Sequence, residues 1–400
     1  MRSIPDGVPR RGVLVSALGI VQILAFGTTL YLPAVLAKPI TVDTGWPLAW
    51  VIGGLSIALV TAGLVSPSIG ETIDRRGGRM VLASSSVLLA IGLVVIGLAP
   101  NLPVYLAAWV IVGFGMGGGL YDATFSTLGR IYGQNARGAI TMVTLWGGFA
   151  STVCWPLSAF LVEHLGWRGT CGVYAALHLG LALPLHLRLL PGSARKPPEQ
   201  PETVTGAPAP SIDLREHVPT ILLIAAIVTI SGSIASVLSV HLLTLLQFQG
   251  GGLAAAVALG TLFGPAQVLA RFGEMTFGRR YHPVWTMLAS VGLMALGIGL
   301  LLPGAAVAAI ALILYGAGNG IGSIAKGTVP LALFGASHYP VLMGRIARPS
   351  LIAQAIAPAL GAGLIGLGGT GALLPVLAGF AILNVGLVLA LKARVGRSAS

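Results

Sequence analysis

Long stretches without a single charge dominate this chain. The residues from Thr44 to Gly70 and from Met80 to Tyr121 contain no Asp, Glu, Lys or Arg, and each stretch exceeds the roughly 20 apolar residues that carry a helix across hydrocarbon. Similar runs recur to the end of the sequence, and only 23 basic and 11 acidic side chains are spread over 400 residues. A soluble domain is roughly a quarter charged, so lipid is the solvent for most of this polypeptide and the bilayer is its first partner.

Inside a bilayer every backbone polar group must be satisfied internally, which leaves helices or a closed barrel. The short alternating strands of a barrel are not seen, so the expected fold is an all-α polytopic membrane protein. Spans are expected near 13 to 36, 47 to 70, 80 to 99, 103 to 128, 139 to 162, 168 to 190, 218 to 246, 252 to 275, 284 to 302, 305 to 327, 348 to 367 and 371 to 392, about twelve in all. The 57 glycines and 25 prolines are compatible with this, because small residues let transmembrane helices approach and neighbours repair proline breaks. The basic, apolar N-terminus has the look of a secretory signal, but its apolar segment runs past Leu36 and reads as the first span.

Orientation follows from charge. With loops numbered alternately, one set, including both termini, receives 20 of the 23 basic residues. The other set receives Lys38 and Arg168, with Lys326 near a helix end left aside. By the positive-inside rule both termini are expected in the cytoplasm. The same loops account for a net charge of +12. Without an aromatic-interleaved basic patch, nucleic acid is not the expected partner.

The longest polar interval, 191–217, is expected to be a cytoplasmic linker between an N-terminal six-helix bundle, 1–190, and a C-terminal one, 218–400. Internal register supports duplication. Glycines at 113, 115, 117 and 119 match glycines at 316, 318, 320 and 322 at an offset of 203, and Pro156 and Gly166 match Pro358 and Gly368 at 202. Two six-helix pseudo-repeats are a common plan for secondary transporters.

Charge that is scarce elsewhere is concentrated between the second and third spans. "GETIDRRGGR", Gly70 to Arg79, sets Asp74 and Arg75 four and five residues after Gly70, then Gly77 and Arg79. Positive-inside bias accounts for the arginines but not for an acidic residue and glycines at fixed places. The stretch resembles the signature of the major facilitator superfamily. With it agree the twelve spans, the six-plus-six repeat, the central linker and "GWR" at Gly166 to Arg168. The resemblance implies a cytoplasmic latch in which Asp74 and Arg79 bond the neighbouring half and an acidic residue low on the fourth helix, a place that Asp122 fits. It also implies a central cavity lined by the first, fourth, seventh and tenth helices. The candidates there are Gln22, Thr28, Tyr31, Tyr121, His241, Tyr315, Asn319 and Lys326, with Trp146 and Gln354 at its flanks.

The sequence departs from the family pattern in places. The second half has Ala270 where the first has Asp74, the arginine often found before the fourth-helix glycines is replaced by Trp109, and the Gly-Pro of drug/proton antiporters appears only as Trp155-Pro156. The second helix looks more like monocarboxylate and oxalate/formate carriers. A secondary transporter moving a small organic solute, an organic anion as the best reading, by rocker-switch alternating access is therefore expected in a bacterial inner membrane, as a monomer and with a proton as a conceivable coupling ion. Export of a drug or toxic compound is the alternative. A polytopic membrane enzyme is remote, since the seven histidines are scattered and no phosphate loop, zinc-protease motif or nucleophile elbow occurs. No cofactor or metal is expected, and Cys154 and Cys171 read as small packing residues.

Overall fold

The computed structural model describes residues 10–192, 217–248, 253–302 and 307–397. The expected linker lies outside these residues except for Pro191, Gly192 and His217. The described residues are helical, without a strand, and form twelve spans. The first is Arg11–Thr28 continued by Leu32–Thr44, the second Leu48–Arg76, the third Gly78–Leu98, and the fourth Leu102–Gly119 continued by Tyr121–Tyr132. Arg137–Gly147 begins the fifth, which runs on in Ala150–Leu177 until Gly166, at φ 67°, turns the chain into the sixth. The sixth passes through a π-helical turn, His178–Ala182, and ends in Leu183–Leu189. Val218–Phe248, Leu253–Gly260 with Phe263–Phe277, Pro283–Leu301, Ala308–Phe334, Tyr339–Gly368 and Thr370–Arg397 complete the second set of six.

Several helices outrun the hydrocarbon. The eleventh begins at Tyr339, nine residues before the expected 348, because Arg345 and Arg348 are exposed on a helix that continues past the apolar core and do not sit in a loop. The first span likewise runs to Thr44 and carries Lys38 within it. It is broken at Thr29–Tyr31.

The two sets of six pack by the same plan. In the first, the fourth span lies against the second and third, the first against the fifth and sixth, and the third against the sixth; in the second, the tenth lies against the eighth and ninth, the seventh against the eleventh and twelfth, and the ninth against the twelfth. The glycine ladders explain the closest of these approaches. A Cβ on Gly113 or Gly117 would run into the second span at Ala58 and Thr61 or at Val65, and one on Gly115 or Gly119 into the third at Leu89 or Ser85. Correspondingly, Gly316 and Gly320 abut the eighth span at Phe263 and Gln267, while Gly318 and Gly322 abut the ninth at Ser290. Ser85 donates to the Gly115 carbonyl at 2.9 Å and Ser290 to the Gly318 carbonyl at 2.7 Å. Absence of a side chain at every second position lets one helix touch two neighbours at backbone distance. Trp109 belongs to the same packing: fully buried, its indole fills the space beside Gly54 of the second span.

Candidate functional site

Contacts between the two sets of six gather at the end where the second span finishes and the eleventh starts, the basic end. There the second and eleventh helices meet backbone to backbone. A Cβ on Gly70 would strike the Pro340 carbonyl, and one on Gly344 the Ser66 carbonyl. Gly129 of the fourth span accommodates the Tyr339 ring, and Gly327 of the tenth accommodates Phe125 and Ile140. Across from this contact the fifth span docks on the eighth: Arg137 donates to the Gly278 carbonyl at 2.6 Å and the Tyr281 carbonyl at 2.7 Å and lies 3.3 Å from Glu274 Oε1. Glu274 also accepts from Thr286 at 2.8 Å. Burial and the Arg137 guanidinium hold the neighbouring His282 imidazole below its usual range, so it stays neutral at pH 7 and accepts from the Val284 amide.

Between these contacts lies an ion pair that joins the fourth and tenth spans. Lys326 Nζ is 2.7 Å from Asp122 Oδ1 and donates to Oδ2 at 2.9 Å. Lys326, expected as a cavity candidate, is thus neutralised by Asp122, and Asp122 meets Lys326, not the expected Arg79. Arg79 lies instead against Gly192. In the motif, Asp74 gives its backbone carbonyl to Arg130 of the fourth span, Gly77 adopts a left-handed φ of 82° at the helix end, and Arg75 pairs loosely with Glu71 at the surface.

A different cation meets the tenth span at Gly320, six residues before Lys326. Arg271 of the eighth span is 6 % exposed, and its guanidinium donates to the Gly320 carbonyl at 3.0 Å, the Thr144 carbonyl at 2.9 Å and Gln267 Oε1 at 3.3 Å. All three acceptors are neutral, and no carboxylate pairs with it among the described residues. Tyr121 donates to the same Thr144 carbonyl at 3.3 Å, and Asn319 donates to the same Gln267 oxygen at 3.4 Å. Aromatic rings flank this cluster on both sides: Tyr121 stacks on Phe125 of the closed contact and meets Phe26, and Tyr31 meets Trp155 edge-on at 5.9 Å. Beside them a groove of about 560 Å³ is lined by Ala34, Val35, Ser151, Thr152, Trp155, Pro156 and Ala159.

The structure therefore brings Tyr121, Asn319 and, through its ion pair, Lys326 toward one place, with Tyr31 against Trp155 at the neighbouring groove. The other candidates are engaged elsewhere. Gln22 is buried and donates to the Gly119 carbonyl and Thr124, both at 2.7 Å, across the break in the fourth span. Thr28 faces His178 of the sixth span, and Trp146 packs on Gly19. His241 bonds the Pro358 carbonyl at 2.9 Å, Gln354 bonds Ser350, and Tyr315 is buried on Phe263. Gln267 and Thr144 escaped sequence reading because one looks like an ordinary eighth-helix glutamine and the other contributes only a backbone carbonyl. Arg271 is one arginine among many in the sequence, and its lack of a counter-ion among the described residues is visible only in three dimensions.

Residues 18–279, well over half of the chain, match the model of the Major Facilitator Superfamily. The chain belongs to this superfamily. It is a membrane transporter and not an enzyme. Among curated relatives, human Monocarboxylate transporter 11 is 30% identical over 172 residues, which is 41% of this chain and 34% of that protein. The Multidrug resistance protein B homolog of Mycobacterium tuberculosis (strain CDC 1551 / Oshkosh) is 31% identical over 122 residues, 30% of this chain and 22% of that protein. The matches thus span about a third or less of these relatives. The crystal structure of a bacterial homologue of the iron transporter ferroportin, in an outward-facing state, superposes with a TM-score of 0.75 at 15% identity, covering 95% of this chain and 99% of that one. This major facilitator superfamily transporter therefore has the twelve-helix fold of its family.

Proposed function

We propose that this transporter carries small organic anions, monocarboxylates foremost, by rocking of two bundles, 1–190 and 218–400, about a site at Arg271. The observation that carries the reading is that buried, uncompensated guanidinium. A charge in the low-dielectric interior is costly unless paired, and a carboxylate presents two oxygens to the guanidinium fork. An incoming anion supplies the missing counter-charge and competes for the neutral carbonyls that now occupy the fork. Tyr31, Tyr121 and Asn319 are the neighbouring donors, and the aromatic rings give an apolar body somewhere to lie. Because Asp122 already neutralises Lys326, the site keeps its net positive charge. The partial similarity to a monocarboxylate transporter agrees with this.

Both termini are placed in the cytoplasm, in a bacterial inner membrane, on the strength of the basic residues. The basic end is then the cytoplasmic gate, closed by the second-to-eleventh and fifth-to-eighth contacts, and the site opens outward. The test is counterflow in proteoliposomes with matched pairs, L-lactate against lactamide and benzoate against benzamide. Carriage of the acids and not of the amides is expected. Carriage of neutral or cationic compounds only would replace the anion reading by export of toxic solutes, which the partial similarity to the multidrug resistance homolog favours.

A further inference from the structure

The sixth span holds two histidines that the transport site does not use. His178 and His186 are 0 % and 1 % exposed and stand eight residues apart, which in a regular helix is roughly 80° around the axis. The extra residue in the π-helical turn His178–Ala182 between them brings both back to nearly one face. They face the first and third spans. His178 Nε2 is 2.8 Å from Thr28 Oγ1, and His186 Nδ1 is 3.0 Å from Ser86 Oγ.

The polarity of each ring follows from the arrangement in which each hydroxyl keeps the bond to its own helix carbonyl. Thr28 donates its hydroxyl proton to the Leu24 carbonyl at 2.9 Å and Ser86 donates to the Leu82 carbonyl at 3.3 Å, so each hydroxyl accepts from its histidine. His178 is therefore protonated at Nε2 and His186 at Nδ1, leaving lone pairs on His178 Nδ1 and His186 Nε2. Neither of these nitrogens has a partner among the described residues. Buried acceptors left bare lose their hydration without replacement, which is unfavourable. What satisfies them must bring protons.

Other groups define the seam's ends. The first, third and sixth spans contain no Asp or Glu apart from Asp43 at the far tip of the first. On the sixth span the nearby Tyr174 is bonded to Ser158 and the Cys154 carbonyl, and Cys171 is buried. Thr28 ends the inner helix of the broken first span, three residues before Tyr31. At the basic end, two turns before Ser86 on the third span, Arg79 packs against Gly192 with its buried Nε unpartnered. A guanidinium does not release its proton, so Arg79 is a fixed charge there and no relay.

We propose that the seam between the first, third and sixth spans is a water-binding proton path, in which His178 and His186 pass protons between the cavity at the helix break and the basic end. Waters donating to the two lone pairs link the rings. In a transfer an imidazole accepts a proton at the lone-pair nitrogen, is briefly cationic, and releases the proton at the opposite nitrogen to the hydroxyl of Thr28 or Ser86, which turns from its helix carbonyl and passes its own proton to a further water. The ring is left as its other tautomer and returns by the reverse exchange or a ring flip. No electrons move. The path lies within one bundle, apart from the gate between bundles, so protons can pass while the gate is shut.

Two measurements on the full-length protein in liposomes test this, and only the second rests on the carboxylate reading above. The first is hydrogen exchange of 15N-labelled histidine rings in D2O by solid-state NMR, with H178Q and H186Q assigning the signals. Ring N–H exchange in minutes is expected, against hours for backbone amides of the third and sixth spans. Ring protons as protected as those amides would overturn the proposal. The second uses L-lactate as probe and an entrapped pH dye: H178Q should lose at least tenfold of lactate-driven proton movement while lactate-for-lactate exchange stays within twofold of wild type. Unchanged proton movement, or equal loss of both activities, overturns it. A wild-type protein that carries no L-lactate counts against the carboxylate reading, and ring exchange alone then decides the seam.

Discussion

At the scale of single residues, the few charges inside a chain nearly devoid of them carry the proposed gate and site. The Asp122–Lys326 pair is partly buried, with side chains 16 % and 20 % exposed, so losing one partner leaves a poorly solvated charge worth roughly 1–3 kcal/mol. Because the pair crosses between bundles, that cost falls on the state closed at the basic end. Asp122→Asn is accordingly expected to slow transport several-fold at equal membrane abundance, and adding Lys326→Gln to restore part of the rate, since the double variant leaves no orphan charge. Equal rates in wild type and Asp122→Asn would show the pair to be incidental. Sequence reading singled out both residues but joined Asp122 to Arg79 and gave Lys326 no partner. Asp122 and Lys326 are 204 positions apart, and nothing local to either one says which residue of the other bundle it meets.

At the scale of helices much more was legible, because apolar length and glycine spacing are local properties. The glycine ladder at 113–119 and its copy at 316–322 announced close packing and a repeat, and each ladder abuts the corresponding pair of neighbouring helices in its half. Helix ends were less legible: Arg345 and Arg348 mark where hydrocarbon stops, not where helix stops. The gate also rests on glycine. Gly344 lets the eleventh helix touch the second at the Ser66 carbonyl and Pro67, and a branched side chain there has no room when the basic end is shut. Gly344→Leu should therefore shift the population toward the state open at that end. Spin labels at Arg76→Cys and Ser337→Cys should report a longer distance in that variant than in the wild-type background. An unchanged distance distribution would remove the second-to-eleventh contact from the gate.

At the scale of the whole molecule the account is of two similar bundles, shut against each other at the basic end, with a lone guanidinium between them. Orientation can be read chemically in a background lacking Cys154 and Cys171. An impermeant thiol reagent added to intact cells should label Thr152→Cys, in the groove, and spare Ala194→Cys, in the linker. The reverse pattern would invert the assignment drawn from the basic residues. The central claim, that Arg271 supplies the charge that binds a carboxylate during alternating access, is tested most directly by the kinetics of carboxylate counterflow in Arg271→Gln. Loss of one charge-assisted fork is worth about 1.5–3 kcal/mol, so the half-saturating concentration should rise about 10- to 100-fold, with Arg271→Lys in between because it keeps the charge without the fork. A wild-type half-saturating concentration in Arg271→Gln, at equal membrane abundance, would contradict the account.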